Sequence, residues 1–531
     1  MSSIVLNKIS FTHPNGIPLF KDISLSIDNQ RTGLTGKNGS GKSTIAKIIT
    51  GYLQPTKGSV FVPDKIAYLP QELKHLENLS IIELFSLKEK YNAFKKITAG
   101  KGTTNDFIIL DNDWDLENRL LFAMQKTGIE YLSVERKIKS LSGGEKIRCL
   151  LASLLVQEPS FIILDEPTNH LDFNAREIIY NFVNDWKKGM LVISHDKKLL
   201  RLMDRIAELS DSGIKLYTGN YDFYIEQRKI ENEAAQNEVK SAELLLKKNI
   251  EEKKQALVKQ AKRTRTAAKR GADSGIPKIL LNAKKNSGEN TLSKLNEIHS
   301  KRIEESKKKL AAAKLKVRIE RQIKIDLDRS KVPAGKIIVK AEGINYSWNG
   351  INNLWTNDLS FTITGAERVL LKGVNGSGKT TLMKLIRNEL IPSKGKLYVG
   401  VKKIGILDQQ VSVLKDNLTL IENLKLHSPN LPEHELRIRL GRFLFYKDDV
   451  YKHAGILSGG EKMRAGLACL LAAEQAPELI MLDEPTNNLD LESISEVISA
   501  LNNFEGALLV VSHDVNFIEE IKVEREIELE R

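Results

Sequence analysis

Two octapeptides, "GKNGSGKS" beginning at Gly36 and "GVNGSGKT" beginning at Gly373, have the residue types and spacing of loops that wrap phosphate. Gly36, Gly39 and Gly41 in the first, and Gly373, Gly376 and Gly378 in the second, allow backbone N–H groups to turn inward on an anion, with Asn38 and Asn375 among them. An ammonium follows in each, Lys42 or Lys379, to reach the β- and γ-phosphates. A hydroxyl comes next, Ser43 or Thr380, to ligate Mg²⁺, and Thr44 and Thr381 complete the nucleotide-binding set. One such loop can arise by chance; two, each after an apolar run, specify nucleotide binding.

The carboxylates for hydrolysis lie farther on. In "FIILDEP" Asp165 ends an apolar strand and is expected to hold the metal, while Glu166 points differently and polarises the attacking water; Asp483 and Glu484 repeat this in "LIMLDEP". His195 and His513 each follow an apolar strand ending in Ser and are expected at the γ-phosphate. Gln71, after "IAYLP", and Gln409, after "IGILD", are expected to touch metal and water. Alone, each of these would read as an acidic turn, a core histidine or a solvated amide. Their recurrence in the same order gives them the catalytic reading.

A third motif has no use within one copy. "LSGGE" places Ser142, Gly143 and Gly144, and again Ser458, Gly459 and Gly460, at the start of a helical run. That is a second anion-binding helix terminus. Beside a phosphate loop in the same domain it has nothing to bind, so each is expected to close on the nucleotide of the other copy.

The elements that position these residues follow from the repeat. Short β-branched runs, a glycine-rich turn, amphipathic helices and later apolar strands recur in both copies. This pattern predicts an α/β fold of two tandem P-loop domains, 1–221 and 336–531, each with a mainly parallel core sheet. The first copy has 70 positions from Gln71 to Leu141 where the second has 48 from Gln409 to Leu457. The extra residues fall within 83–139, and a surface loop at "TAGKGTTNDFIILDNDWD" is expected to hold them.

Composition narrows the class. No run of 18 apolar residues occurs, and Met1–Ser10 carries no apolar leader core, so the cytoplasm is the expected compartment. Two cysteines, Cys149 and Cys469, exclude a disulfide framework or an all-cysteine metal site in one chain and are expected to pack as small apolar groups. The net charge of +13 is local: residues 222–331 hold 29 Lys and Arg against 16 Asp and Glu, and the rest of the chain is balanced. A surplus this concentrated suggests a polyanionic partner at that segment.

The segment 222–335 reads as a charged helical hairpin. Runs rich in Glu, Lys, Ala, Gln and Leu to about Lys262, and from about Thr291 to Arg329, predict two long helices of coiled-coil type. Gly271, Gly275, Pro277 and Gly288 predict the loop between them. Leu244, Leu245 and Ile250 are expected to meet Leu310, Leu315 and Ile319. Some 40 residues per helix make an arm about 60 Å long. Its tip gathers Arg263, Arg265, Lys269, Arg270, Lys278, Lys284 and Lys285 against one acid, Asp273.

"LSGGE" between a P-loop and "LDEPTNHLD" (in the second copy "LDEPTNNLD") resembles the ATP-binding cassette superfamily. Two complete cassettes around a charged helical linker, without a membrane segment, resemble its ABC-F family. The resemblance implies an ATPase that closes head-to-tail on two ATP molecules with Mg²⁺, the cassettes pairing within one monomeric chain. It would pair Gly36–Thr44 with Ser458–Glu461, and Gly373–Thr381 with Ser142–Glu145. It also implies an aromatic ring on each adenine, for which "FTHPNG" offers His13 or Phe11 and "YSWNG" offers Trp348 or Tyr346, with His13 and Trp348 preferred. The linker would reach the peptidyl-site tRNA and ribosomal RNA, with the seven basic tip residues on phosphates. The protein would then modulate translation or protect ribosomes from antibiotics. The rival readings are the ATP-hydrolysing subunit of a membrane transporter, for which the hairpin has no use, and a DNA-associated ATPase, from which the zinc-binding cysteines of tandem-cassette repair enzymes are missing.

Overall fold

The computed structural model describes residues 3–71, 77–210, 212–272, 278–316, 323 and 331–530; at 264, 267–272, 278–292 and 315 it describes the backbone alone. The chain divides into two compact units, one of Met1–Tyr221 with Arg321–Arg531 and one of Asp222–Glu320.

In the first unit the strands of the N-terminal half are β1 (Ile4–Thr12), β2 (Pro18–Ile27), β3 (Arg31–Gly36), β4 (Lys57–Phe61), β5 (Ile66–Leu69), β6 (Phe161–Asp165), β7 (Gly189–Ile193), β8 (Arg205–Ser210) and β9 (Gly213–Thr218). They form an antiparallel sheet in the order β2-β1-β4 and a six-stranded sheet in the order β5-β6-β7-β3-β8-β9, parallel except for the last pair. The C-terminal half repeats this with β10 (Ile337–Asn345), β11 (Leu359–Thr364), β12 (Arg368–Lys372), β13 (Lys394–Val399), β14 (Ile404–Leu407), β15 (Leu479–Asp483), β16 (Ala507–Val511) and β17 (Arg525–Glu528). Its sheets run β11-β10-β13 and, all parallel, β14-β15-β16-β12-β17.

Every residue of β6 and β7 is buried, which is why they read as unbroken apolar runs. Each Leu or Ile so buried contributes roughly 1.5–3 kcal/mol. Parallel register brings three strand ends together: Asp165 pairs with Ile193, and Leu34 pairs with Ile193 from the other side. The phosphate loop, Asp165 and His195 therefore leave the sheet at neighbouring carboxyl ends, where α/β sheets place ligands. The helix Lys42–Ile49 carries Ile45, Ala46, Ile48 and Ile49 into the core beneath.

The extra residues of the first copy are not an open loop. They form the helices Lys88–Thr98, Thr104–Leu110 and Leu116–Thr127, the second opened by a capping box between Thr103 and Asp106. Leu110, Leu116 and Leu120 close a core there with Ile81 and Phe85. Cys149 and Cys469 are buried, and burial pushes both thiols up to about 12.

The second unit consists of two helices, Tyr221–Ala272 (its first residue belonging to the first unit) and Lys278–Lys316, of 52 and 39 residues. They run antiparallel: Asn249 Nδ2 donates to Ser306 Oγ at 2.7 Å, Lys253 Nζ to Ser300 Oγ at 3.0 Å and Lys316 Nζ to Glu238 Oε1 at 2.9 Å. The helices continue well into the expected loop. Gly271 and Gly288 are helical, because a single glycine costs only about 1 kcal/mol in a run of strong helix formers. Gly275 and Pro277 lie outside the described residues. The seam also differs from expectation. Leu244, Leu245 and Ile250 are exposed, and Leu310 is half-buried; Leu315 and Ile319 are outside what is described. The half-buried stripe is Asn232, Ala235, Val239, Ala242, Leu246, Asn249, Lys253 and Ala256, at alternating three- and four-residue spacing, a phase that leaves the neighbouring leucines outside. Farther on, Ile323 is buried in the core of the C-terminal half, its carbonyl accepting from Asn503 Nδ2 at 3.1 Å.

Candidate active sites

In both P-loops the lysine is turned back on its own loop. Lys42 Nζ donates to the carbonyls of Gly36 and Lys37 at 2.8 and 2.9 Å, and Lys379 Nζ to those of Gly373 and Val374 at 2.6 and 3.2 Å. Burial pushes both ammonium groups below the ordinary lysine range, so both are poised for an anion. Gly39 and Gly376 have φ of 78° and 84°, the left-handed region that glycine enters freely. Among the described residues, Ser40 Oγ and Ser377 Oγ are buried without a hydrogen-bond partner. Orphaned hydroxyls, two turned lysines and open glycine turns fit a polyphosphate.

Glu166 and Glu484 stand at φ of 49° and 50°, a strained region for a side-chain-bearing residue. Each is held there by its N–H, which donates to Ile193 O in the first copy and to Val511 O in the second, both at 2.8 Å. That turn separates the glutamate from the preceding aspartate. Its Oε1 lies 3.5 Å from His195 Nε2 in the first site and 3.3 Å from His513 Nε2 in the second. Burial pushes Glu166 up to about 8 and Glu484 up to about 7, and pushes His195 down to about 3 and His513 to about 4. Among the described residues, both ring nitrogens of His195 and Nδ1 of His513 have no hydrogen-bond partner. A carboxylate in a dry pocket is a stronger base than one in water, and an unpartnered neutral imidazole is free to meet an oxygen.

The two metal positions differ. Ser43 Oγ donates to Asp165 Oδ1 at 3.1 Å, a hydroxyl and carboxylate pair that could hold a divalent cation, and Tyr68 OH donates to Asp165 Oδ2 at 3.3 Å. The second copy has Thr380 and Asp483, with Ile406 in place of Tyr68 and Asp408 in place of Pro70; burial and, opposing Lys379, that neighbouring carboxylate bear on Asp483.

A cavity of about 480 Å³ lies over the first P-loop. His13, Lys42, Ser43, Thr44, Gln71, Glu166 and His195 line it from the first copy, and Thr486–Leu489 line it from the second. Trp348 is exposed, packed edge-on to Tyr346 at 5.1 Å. Ser142 and Ser458 cap their helices in capping boxes with Glu145 and Glu461. Neither is among the lining residues. The backbone at Gly459 instead faces Asn488 O, with a Cβ there 3.5 Å away, and Asn488 O accepts from Asn38 Nδ2 at 2.6 Å. The second signature motif thus lies one residue layer behind the first P-loop.

That layer contains the residues missed in the sequence. Asp490 uses Oδ1 to cap its own helix at Ser493 N (2.8 Å) and Oδ2 to accept from Asn38 N in the opposite P-loop (2.9 Å). Asp172 does the same with Ala175 N at 3.0 Å and Asn375 N at 3.3 Å. Gln409 Nε2 lies 3.0 Å from His170 Nδ1 across the same interface. Asp490→Ala is expected to lose about 1 kcal/mol of helix capping and to weaken ATP binding at Lys42 more than at Lys379, measured by site-resolved crosslinking.

Two phosphate loops, each backed by a glutamate–histidine pair and each held by an aspartate of the other half, define a duplicated P-loop ATPase within one chain. When bound, ATP supplies the β–γ anhydride that such a site cleaves; Lys42 and Lys379 would hold its phosphates and Glu166 and Glu484 would take the proton of water. The family described as ABC transporter matches residues 20–169 and 356–487. The chain belongs to the ATP-binding cassette superfamily, in its ABC-F family of tandem cassettes, and is an ATPase. It is 30% identical over 540 residues to the putative ATP-binding protein YdiF of Bacillus subtilis, covering 95% of this chain and 76% of that one. It is 28% identical to ABC transporter F family member 5 of Arabidopsis thaliana, covering 97% and 73%. A solved complex of the archaeal ribosomal stalk protein aP1 and the ribosome recycling factor aABCE1 shares the fold at a TM-score of 0.54 and 18% identity, covering 98% of this chain and 87% of that one. Among the described residues no helix is long and apolar enough to cross a membrane.

Proposed function

We propose that this ATPase binds ribosomes in an ATP-dependent manner, with cassettes at 1–221 and 336–531 and the 222–335 segment as its RNA-contacting element. ATP with Mg²⁺ closes the cassettes and favours binding; hydrolysis favours release. Ser43, Asp165 and Gln71 at one site, and Thr380, Asp483 and Gln409 at the other, hold the metal. The signature serines Ser142 and Ser458 complete the opposite sites, and His13 and Trp348 lie on the adenines. The protein works as a cytoplasmic monomer, modulating translation or protecting ribosomes from antibiotics. The observation that carries the reading is the charge of 222–331, which holds all of the chain's +13. The shared fold with aABCE1, a ribosome recycling factor solved in complex with a ribosomal stalk protein, supports the same partner class.

Arg263 and Arg265 have exposed side chains on the first long helix. Lys269 and Arg270 lie farther along it and Lys278, Lys284 and Lys285 on the second; the side chains of these five are outside the described residues. Replacing Arg263, Arg265, Lys269 and Arg270 with Gln is expected to weaken ribosome binding and to flatten its salt dependence, since each lost phosphate contact removes about one released counterion. Ribosome pelleting across a salt series checks this, with ribosome-free ATP turnover as the control. Unchanged binding and slope would remove the segment from the RNA contact. Susceptibility of an expressing strain to a panel of ribosome-targeting antibiotics separates protection from general modulation.

A further inference from the structure

Beside the ATP sites the cassette interface holds a buried charge cluster to which the chemistry above assigns no role. Arg176 lies on the helix Phe173–Asp185, just past Asp172. Its side chain is 8% exposed; Nε donates to Leu171 O at 3.1 Å, and Nη1 stands 3.7 Å from Oδ2 of Asp196, whose side chain is 7% exposed. Asp196 follows His195 and caps the helix Lys197–Arg201, and Tyr180 donates its hydroxyl to the same carboxylate. Asp514 holds the matching place after His513 in the other cassette and caps Val515–Glu520. Arg176, Asp196 and Asp514 all line the cavity that lies over the first P-loop. Burial and the facing Asp196 push the Asp514 carboxyl up, against Arg176 and Lys197. One position before Asn174, Phe173 packs edge-on to His513 at 4.9 Å, so this helix start also touches the second site.

The repeat shows that the arrangement is one-sided. The alignment that pairs Asp172 with Asp490 places Ile494 opposite Arg176 and Ile498 opposite Tyr180. The two aspartates are therefore duplicated and the cation is not. Two carboxylates facing each other away from water repel strongly, and a single guanidinium between them is the smallest group that relieves both. A second arginine from the opposite cassette would set two cations against each other at the same place.

We propose that Arg176 is a positioning residue for cassette closure, the buried counter-ion that lets Asp196 and Asp514 approach across the interface. The role rests on the reading that ATP closes the cassettes on each other. ATP titrations of turnover in Arg176→Met, Asp514→Asn and the double variant test it, with Arg176→Lys as the conservative control. Asn caps a helix as well as Asp does, so Asp514→Asn removes the charge and keeps the cap. Arg176→Met is expected to raise KM for ATP about tenfold with kcat within about threefold, and the added Asp514→Asn to bring KM back to within about threefold of the parent. Arg176→Lys is expected to stay near the parent. An unchanged KM in Arg176→Met, a double variant no better than the single one, or a loss confined to kcat would each overturn the role. Should Arg176→Met not fold, Asp514→Asn alone decides: it is expected to leave KM unchanged or lower, and a rise to about tenfold would overturn the role. Ser142→Arg, read by site-resolved ATP crosslinking, separates the two readings. If it too has no effect at the Lys379 site, head-to-tail closure itself fails; if it does and Arg176→Met does not, only the counter-ion role fails.

Discussion

Glu166→Gln with Glu484→Gln is expected to lower ATP turnover by at least about tenfold while ATP still binds and the protein stays on ribosomes. Gln keeps the shape, and its backbone N–H still donates to Ile193 or Val511, so the strained turn and the P-loop are unchanged. What is lost is the carboxylate beside His195 or His513 that takes the proton from water. ATP turnover and nucleotide retention measured together decide it; near-normal turnover would remove both glutamates from the chemistry. The same variant has a stability signature without nucleotide. Both carboxyls are pushed up from 4.5, to about 8 and about 7, mainly by burial. The folded state therefore binds their protons more tightly than the unfolded one, and this contribution is full below about pH 4.5 and is lost as pH rises through 7 and 8. Gln has no proton to lose. The variant should gain stability relative to the parent across that window, which denaturant melts at a series of pH values will show; a constant difference would contradict the burial effect. His195 and His513 work in the opposite sense: their depressed values add stability that is full above about pH 6.5 and falls away in acid.

The second large effect is expected from Ser142→Arg, which should impair nucleotide binding at Lys379 at least about fivefold and spare Lys42. The contacts already made argue for this crossing. Asn375 of the second P-loop meets His170 O and Asp172 of the first cassette at 3.4 and 3.3 Å, while Asn38 of the first P-loop meets Asn488 O and Asp490 of the second at 2.6 and 2.9 Å. These contacts support the expectation that the LSGGE motif of each cassette closes on the other's phosphates. Arg at this position also loses the capping box with Glu145, worth about 1 kcal/mol, so a thermal melt must accompany the test. Site-resolved ATP crosslinking reads the outcome, and loss at Lys42 alone would reverse the pairing.

The chemistry of this protein was legible in its sequence because it is built from local pieces. A P-loop is a glycine turn between one strand and one helix, and "LDEP" is the end of a single buried strand, so Lys42, Ser43, Asp165 and Glu166 could be named from spacing alone. Duplication then separated the candidate histidines and glutamines from ordinary ones. Interface roles were not legible, because the partner atoms are hundreds of residues away. Asp490 reads as a helix cap, and only the folded chain puts its second oxygen on Asn38 N–H. Arg176 reads as one more charge on a helix until burial sets it beside Asp196. The long helices show the same division from the other side. Composition identified them, but their length across Gly271 and Gly288 is cooperative, and the phase of their contact stripe decides that Leu246 and Asn249 face the partner while Leu244 and Ile250 face water. Propensity is a property of residues; which face is buried depends on where the second helix lies.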